Sequence, residues 1–307
     1  MPEIAYLGPP GTFTEQATRA LTEGFDAALI PYDTVPRALA AIRAGEVLAA
    51  GVPVENSVEG SVPATLDALV TGEPLVAVRE VLLPVRFDLL ARPGVELAQV
   101  RTVASHPHAL AQVRDWLAAN LPDAAQRVTS STAAAAEATE AGEFDAALAA
   151  PVVTEHYRSL VPLARGLADV RDAVTRFLLV RRPGPLPEPT GADRTSVAAV
   201  IGDEVGSLTE LLSELSLRGI NLSRIESRPT KDRLGEYRFF LDFDGHVADA
   251  RIGDALTALR RRCNEVRFLG SYPKADRAPA TVRPSASEQA FRASAKWLED
   301  VRAGRLA

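Results

Sequence analysis

The chain of 307 residues is 47% hydrophobic and 24% charged, which is typical of a globular protein. Its length predicts about two domains, at roughly 150 residues each. A net charge of -6 argues against a nucleic-acid-binding surface, which would be basic. The single cysteine, Cys263, cannot form an internal disulfide and fits a reducing compartment. Because we find neither a signal peptide nor a run of roughly 20 apolar residues, we expect a cytoplasmic protein that does not bind membranes.

Strand and helix patterns alternate along the chain up to Arg181. Short apolar runs predict strands, among them EIAYLG, AALIPY and VLAAGVPVENS, and helical segments follow them. The first helix is expected to be capped by Thr14, and the second to begin at Asp33 or Thr34 and to end at Gly45. The segments RTVASHPHALAQV and RVTSSTAAAAEA repeat the same order. This alternation predicts an α/β fold with a mostly parallel sheet covered by helices.

Polar residues cluster where several of these predicted strands end. The clusters are at Thr12, Glu55 to Ser57, Ser105, and Ser130 to Thr132. In open α/β sheets, ligands bind at the carboxyl ends of the strands. The repeated pattern therefore predicts a ligand site built from several loops.

The stretch DAVTRFLLV begins a strand with unusual chemistry. Its apolar run, Phe177 to Val180, is preceded by the hydroxyl of Thr175 and the guanidinium of Arg176. An isolated pair of this kind predicts a strand edge that faces water. Beside the polar clusters it favours a ligand site, because a guanidinium binds a carboxylate through two parallel hydrogen bonds.

A segment rich in proline and glycine, RRPGPLPEPTGADR, divides the chain. Such a composition continues neither a helix nor a central strand, so we expect a linker at 183–194 between domains at 1–182 and 195–273. The second domain has the order βαββαβ, a ferredoxin-like unit, with a helix from about Gly206 to Gly219 and a turn at KDRLG. The extension at 274–307 predicts one amphipathic helix, to which the sequence gives no function.

Five sequence blocks in order resemble the prephenate dehydratase family. They are YLGPPGTFTEQA, VPVENSVEGSV, SHPHALAQV, STAAAA from Ser131, and TRF at 175–177, and the regulatory motif ESRP follows at Glu226 to Pro229. The resemblance implies a two-lobed, periplasmic-binding-protein-like catalytic domain, with its second lobe at about 77–165, and a regulatory ACT domain. It also implies a lyase without a cofactor or metal, which converts prephenate to phenylpyruvate, carbon dioxide and water. No all-helical segment precedes the first block, so we expect no fused chorismate mutase.

The resemblance assigns roles to individual residues of the first domain. Thr175 is placed against the departing hydroxyl of the substrate, Arg176 anchors a carboxylate, and Glu55 is a possible relay partner of Thr175. The expected catalytic residues are Thr175, Arg176, Glu55, Asn56, Ser105 and Gln112, and the expected substrate-binding residues are Thr12, Ser57, Ser131, Thr132 and Phe177.

Several of these residues also have a structural interpretation. Glu55 and Asn56 could cap a helix, and Ser105 could be the N-cap of the helix from Pro107, alone or in addition to a ligand contact. His106 and His108 receive a minor role, since histidines near a helix start are more often structural. The chain departs from the family pattern at Ala173, where asparagine is usual, and at His108, where glutamine is common.

In the second domain, the resemblance implies an amino-acid effector site, with phenylalanine as feedback inhibitor. The expected residues are Val205, Gly206, Ser207, Leu208, Asn221, Glu226, Ser227 and Arg228. Glu226 either receives an ammonium group or orients Arg228 by an ion pair, and both interpretations stay open. Because such domains bind effectors at their interfaces, we expect a homodimer or homotetramer. An arogenate dehydratase and a non-catalytic amino-acid-binding regulator are the alternative functions.

Overall fold

The computed structural model describes residues 1–170, 172–231 and 235–305. It divides the chain into two compact units. The first consists of Met1–Ala68 and Val81–Arg181, and the second of Leu69–Glu80 and Arg182–Ala307. The short segment Leu69–Glu80 therefore belongs with the carboxyl-terminal part of the chain, although the sequence places it inside the first domain.

Two sheets form the first unit. Its strands are β1 (Glu3–Leu7), β2 (Ala28–Tyr32), β3 (Ala49–Asn56), β4 (Gly60–Ser61), β6 (Phe87–Ala91), β7 (Thr102–Ser105), β8 (Ala125–Val128), β9 (Ala146–Ala149), β10 (Val161–Leu167) and β11 (Val174–Arg181), while β5 (Val76–Pro84) spans the boundary between units. Its helices are α1 (Phe13–Leu21), α2 (Val35–Ala44), α3 (Pro63–Val70, whose last two residues belong to the second unit), α4 (Pro107–Gln112), α5 (Arg114–Asn120) and α6 (Thr132–Glu140).

The first lobe of this unit is built on the strand order β2-β1-β3-β11. Strand β1 pairs in parallel with β2 and β3, as the alternating pattern predicts, whereas β11 returns antiparallel to β3. That return sets Thr175 opposite Asn56 and Arg176 opposite Glu55. The residues expected to be catalytic on two distant segments are therefore brought together by strand register.

The second lobe is built on the order β10-β6-β9-β7-β8. Its strands run from Phe87 to Leu167, so the lobe begins later than the expected 77. Fully buried alanines of α6, among them Ala133 and Ala136, pack over the sheet against Leu90 and Ala147. Small side chains let this helix lie close to the strands, and its amino terminus points to the strand ends.

Helix starts in the first unit only partly follow the expectations. Thr34 caps α2 by accepting the Arg37 N–H, and Gly45 ends it in the left-handed region (φ 79°), as predicted. The cap of α1 is Thr12 and the prediction of Thr14 was wrong, because the Thr12 side chain accepts the Glu15 N–H at the helix start. The cap of α4 is His106, so Ser105 is the last strand residue and has no capping role.

The second unit confirms the predicted βαββαβ order. It contains β12 (Asp193–Val200), α7 (Ser207–Ser216), β13 (Leu222–Pro229), β14 (Tyr237–Asp244), α8 (Ala250–Arg262), β15 (Glu265–Pro273) and α9 (Glu288–Arg302). The strand order is β13-β14-β12-β15, and Gly270 of β15 pairs in parallel with Ala77 of β5. Apolar side chains of both α7 and α8 cover one face, including Leu211, Leu215 and Leu259.

The remaining carboxyl-terminal expectations concern the turn and the tail. Residues 232–234 of the predicted KDRLG turn lie outside the described residues. The tail forms α9, as predicted, and no residue of α9 is buried. Within the described ranges, every helix is too short or too polar to cross a membrane.

Candidate active site

A cavity of about 770 Å³ lies in the first unit and is lined by both of its lobes. Six of the residues expected at the site line it: Thr12, Asn56, Gln112, Ser131, Thr132 and Thr175. They come from the turn before α1, the end of β3, α4, the start of α6 and the start of β11. The structure therefore brings the predicted strand-end clusters to one site.

Asn56 fixes the direction of the Thr175 hydroxyl. The Asn56 side-chain oxygen accepts the backbone N–H groups of Val58 at 2.8 Å and Glu59 at 3.0 Å. Its amide nitrogen must therefore face Thr175, and it donates to Thr175 Oγ1 at 2.8 Å. A hydroxyl has one proton to donate, and within the described parts of the chain no group accepts the Thr175 proton. A hydrogen-bond donor is thus left available at the cavity wall.

Helix starts supply further donors to the cavity. Thr12 and Phe13 line it at the start of α1, and Ser131 and Thr132 line it at the start of α6. Both caps are used locally, since Thr12 accepts from Glu15 N–H and Ser131 from Ala134 N–H. The first backbone N–H groups of a helix have no partner within it and favour anions. The cavity is therefore suited to a negatively charged ligand.

Gln112 contributes a buried amide. It lies on α4, is 8% exposed and lines the cavity. Its side-chain oxygen has no hydrogen-bond partner among the described residues. Because an unpaired buried polar group is costly, a ligand in the cavity would restore a favourable state for this amide.

Comparisons with known proteins identify the family. The prephenate dehydratase family model matches residues 4–185, and the ACT domain model matches residues 196–261. The chain belongs to the prephenate dehydratase family. It is 59% identical over 308 residues to a prephenate dehydratase of Amycolatopsis methanolica, with all of both chains covered, and 48% identical over 318 residues to one of Mycolicibacterium vanbaalenii, covering 99% of this chain and 100% of that relative.

A solved structure agrees with this assignment. Prephenate dehydratase from Arthrobacter aurescens, determined in complex with L-Phe, matches with a TM-score of 0.92 and 48% identity. The match covers 97% of this chain and 99% of that one. The chain is accordingly a lyase of this family with an ACT domain, and the expected two-domain α/β fold is confirmed.

Two residues expected to act in prephenate dehydratase chemistry pair with each other instead of lining the cavity. Arg176 Nη1 lies 3.7 Å from Glu55 Oε2, and the arginine side chain is only 6% exposed. Successive residues of a strand point to opposite faces, so Arg176 and Glu55 lie on the face opposite Thr175 and Asn56. Neither residue is among those that form the cavity wall.

Three further expected residues are also not part of the cavity wall. The fully buried Ser105 hydroxyl donates to the Leu148 carbonyl at 2.6 Å. Ser57 Oγ accepts the Val174 N–H at 3.0 Å, which fastens the start of β11 to the loop after β3. Phe177 is 2% exposed and belongs to the core. These side chains position the strands that carry the cavity residues.

The cavity wall also includes titratable residues outside the set predicted for the site. His106 and His108 line it and their rings meet edge to face, with centroids 4.9 Å apart. Burial, and then the neighbouring His108, lower the pKa of His106, so it is neutral at neutral pH. Asp33 and Glu59 line it as well. The described part of the wall contains neither lysine nor arginine, which makes the helix starts more important for anion binding.

In the ACT unit, strand directions separate the expected effector residues into two groups. Strands β12 and β13 are both antiparallel to β14, so they run in the same direction. The end of the sheet that carries the loop Val205–Leu208 therefore also carries Glu226 to Arg228. Asn221 precedes β13 at the other end, about 17 Å from Glu226 and about 23 Å from Arg228 at 3.3 Å per residue. Its side chain donates to Asp244 Oδ2 at 3.0 Å.

Proposed function

We propose that the cavity binds prephenate and that Thr175 and Asn56 promote its decarboxylating dehydration to phenylpyruvate. The observation that carries this proposal is the orientation of the pair: Asn56 donates to Thr175 at 2.8 Å, and this leaves the Thr175 proton for a ligand. The match to the prephenate dehydratase family supports this function over that of a purely amino-acid-binding protein.

The reaction defines what the donor must do. As the ring carboxylate leaves as carbon dioxide, the electrons of its carbon–carbon bond aromatise the ring and expel the hydroxyl on the opposite carbon. The departing oxygen takes up one proton and leaves as water. Since hydroxide is a poor leaving group, a hydrogen bond to this oxygen lowers the barrier. Thr175 supplies that hydrogen bond. An alcohol is a weak acid, so the proton is taken up from bulk solvent, and the net reaction consumes one proton: prephenate dianion and H⁺ give phenylpyruvate anion, carbon dioxide and water.

The two substrate carboxylates require donors elsewhere in the cavity. We assign one to the first backbone N–H groups of α1 and the other to those of α6. The unpaired Gln112 side-chain oxygen can only accept, so it is left for a hydroxyl of the substrate and not for a carboxylate. Arg176 then acts indirectly, by pairing with Glu55 and stabilising the strand pair that positions Thr175 and Asn56. Holding the substrate in one geometry contributes to rate without a further catalytic group.

The second unit is proposed to bind L-phenylalanine and to inhibit the reaction. Support comes from the ACT match at residues 196–261 and from the similar prephenate dehydratase solved with L-Phe. We propose a homodimer or homotetramer. In it, Asn221 of one chain lies close to Glu226, near the end of β13, in another chain. The free cysteine Cys263 agrees with a cytoplasmic location.

The deciding experiment is an assay of the purified chain with prephenate at neutral pH, with no metal or nucleotide added. We expect formation of phenylpyruvate, followed by its absorbance, and suppression by L-phenylalanine. If the chain converts arogenate but not prephenate, arogenate is the substrate and the proposed substrate is wrong. Loss of both activities would leave the cavity as a ligand-binding site, and turnover without a response to phenylalanine would overturn the proposed effector.

A further inference from the structure

Glu15 holds the turn that forms part of the cavity wall. Its side chain is buried on the first turn of α1, at 4% exposure, and its Oε2 accepts the Gly11 N–H at 2.6 Å. Its own N–H donates to Thr12 Oγ1 at 3.3 Å, and the Thr12 hydroxyl donates to the Leu7 carbonyl at 3.1 Å. Because Thr12 lines the cavity, Glu15 determines where this part of the wall lies.

The second lobe reaches the same carboxylate through His156. His156 follows a short 3-10 helix, Pro151–Glu155, and its Nε2 lies 3.1 and 3.0 Å from the two Glu15 carboxylate oxygens. Arg19, one turn further along α1, pairs with Glu15 and also with Glu155 at 2.5 Å. The buried Glu15 carboxylate and His156 therefore join the first lobe to the second beside the cavity, while the more exposed Arg19–Glu155 pair adds little to this link.

Close packing makes the turn sensitive to the position of the second lobe. Gly11 has a φ of +85°, and a Cβ there would lie 2.7 Å from Val153 Cγ2. Burial, and then the charge of Glu15, raise the pKa of Tyr6 to about 12, while Arg19 opposes this. The buried Glu15 carboxylate depends on its hydrogen-bond and ion-pair partners. Removing one of them costs free energy, because it leaves a buried charge less well compensated.

We propose that His156 is a positioning residue for the substrate site. By pairing with Glu15, it fixes the Gly11–Thr12 turn and the separation of the two lobes across the cavity. The inference rests on the proposed function, because that function assigns a substrate carboxylate to the start of α1. His156 thus governs substrate affinity and not the chemical step, since Thr175 and Asn56 lie on the separate strand pair β3–β11.

The test compares three variants in the full chain. In His156→Ala we expect KM for prephenate to rise roughly tenfold, the effect of losing a hydrogen bond to a charged group, with kcat changed by less than about twofold. His156→Gln keeps a side-chain N–H that can reach Glu15 and should retain a KM near that of the wild type. Glu155→Gln is the matched control, because its exposed pair with Arg19 should matter little.

Amide hydrogen exchange of peptides spanning 8–14 gives a readout independent of turnover. Faster exchange there in His156→Ala, but not in His156→Gln, is expected. An unchanged KM and exchange in His156→Ala would overturn the inference. So would a loss of kcat and melting temperature that glutamine does not restore, because that would indicate a general structural role. If the wild type does not convert prephenate, the proposed function fails, while exchange still decides whether His156 holds the turn.

Discussion

Asn56 and Thr175 show at the scale of single residues what sequence can and cannot predict. Both residues were recognisable from their motifs, and strand register places them opposite each other. The direction of the hydrogen bond was not predictable, because it depends on two N–H groups, of Val58 and Glu59, that fix the Asn56 amide. Likewise, motif membership alone did not separate the cavity residue Thr175 from its neighbour Arg176, whose side chain points the other way.

This geometry predicts a sharp effect of Asn56→Asp. A carboxylate still accepts the Val58 and Glu59 N–H groups, but it can only accept from Thr175, so the threonine proton turns away from the cavity. We expect kcat to fall by about 10²-fold or more, as in Thr175→Ala, with a small change in melting temperature. KM should rise in Asn56→Asp but not in Thr175→Ala, because the new carboxylate repels the anionic substrate. The measurement is steady-state kinetics with prephenate.

Asn120→Asp is the matched control for that substitution. Among the described residues, the exposed Asn120 side chain donates only to the Trp116 carbonyl. It should keep a kcat near that of the wild type. Thr175→Ser, which retains the hydroxyl, should keep most of the activity. Near-normal turnover in both Asn56→Asp and Thr175→Ala would contradict the role of the pair.

At the scale of elements, local signals succeeded where the deciding contacts are local. Thr34, Gly45 and the βαββαβ order follow from neighbouring residues. The cap of α1 was missed although a signal existed: Thr12 and Glu15 have the three-residue spacing of a capping box, whereas Thr14 has no such partner. Ser105 was a plausible cap by residue type, but its hydroxyl is used by Leu148 on a strand far away in sequence.

Two glycines of the second unit should respond oppositely to alanine. At Gly270 on β15, with a φ of +139°, a Cβ would lie 2.3 Å from the Ala77 carbonyl oxygen, so Gly270→Ala should destabilise the unit by roughly 2 kcal/mol. Gly253 lies inside α8, where a Cβ would meet only the Val247 carbonyl oxygen at 3.8 Å. Gly253→Ala should therefore stabilise by about 1 kcal/mol. Thermal unfolding measures both, and equal shifts in the same direction would contradict the close approach of β15 to β5.

For the whole molecule, sequence patterns predicted the order of the domains. They did not predict that the segment Leu69–Glu80 belongs to the second unit. This segment groups with the second unit, where Ala77 pairs with Gly270 and the Glu80 carboxylate binds Arg194 at 2.5 Å. An apolar run predicts a strand but does not specify its partner, which here comes from a distant part of the chain. A cut in the linker near Pro185 would remove that partner, so regulation is better tested in the full chain.

The Thr175→Ala chain makes such a test possible at equilibrium, because it should bind prephenate without converting it. If phenylalanine inhibits by favouring a state that binds prephenate weakly, it raises the Kd of prephenate by some factor, typically about 5- to 150-fold. Linkage then requires prephenate to raise the Kd of phenylalanine by the same factor. Isothermal titration of each ligand, with and without the other, measures both factors.

A variant in the second unit tests whether phenylalanine acts from there. Glu226→Gln should weaken phenylalanine binding while the Kd of prephenate measured alone stays that of the parent chain, because Glu226 lies on β13 of the second unit. If phenylalanine slows the wild-type reaction but leaves the Kd of prephenate unchanged in Thr175→Ala, the two sites are coupled through kcat and not through affinity. That result would reject population of a weakly binding state as the basis of feedback, since a ligand shifts an equilibrium only by its differential affinity for the two states.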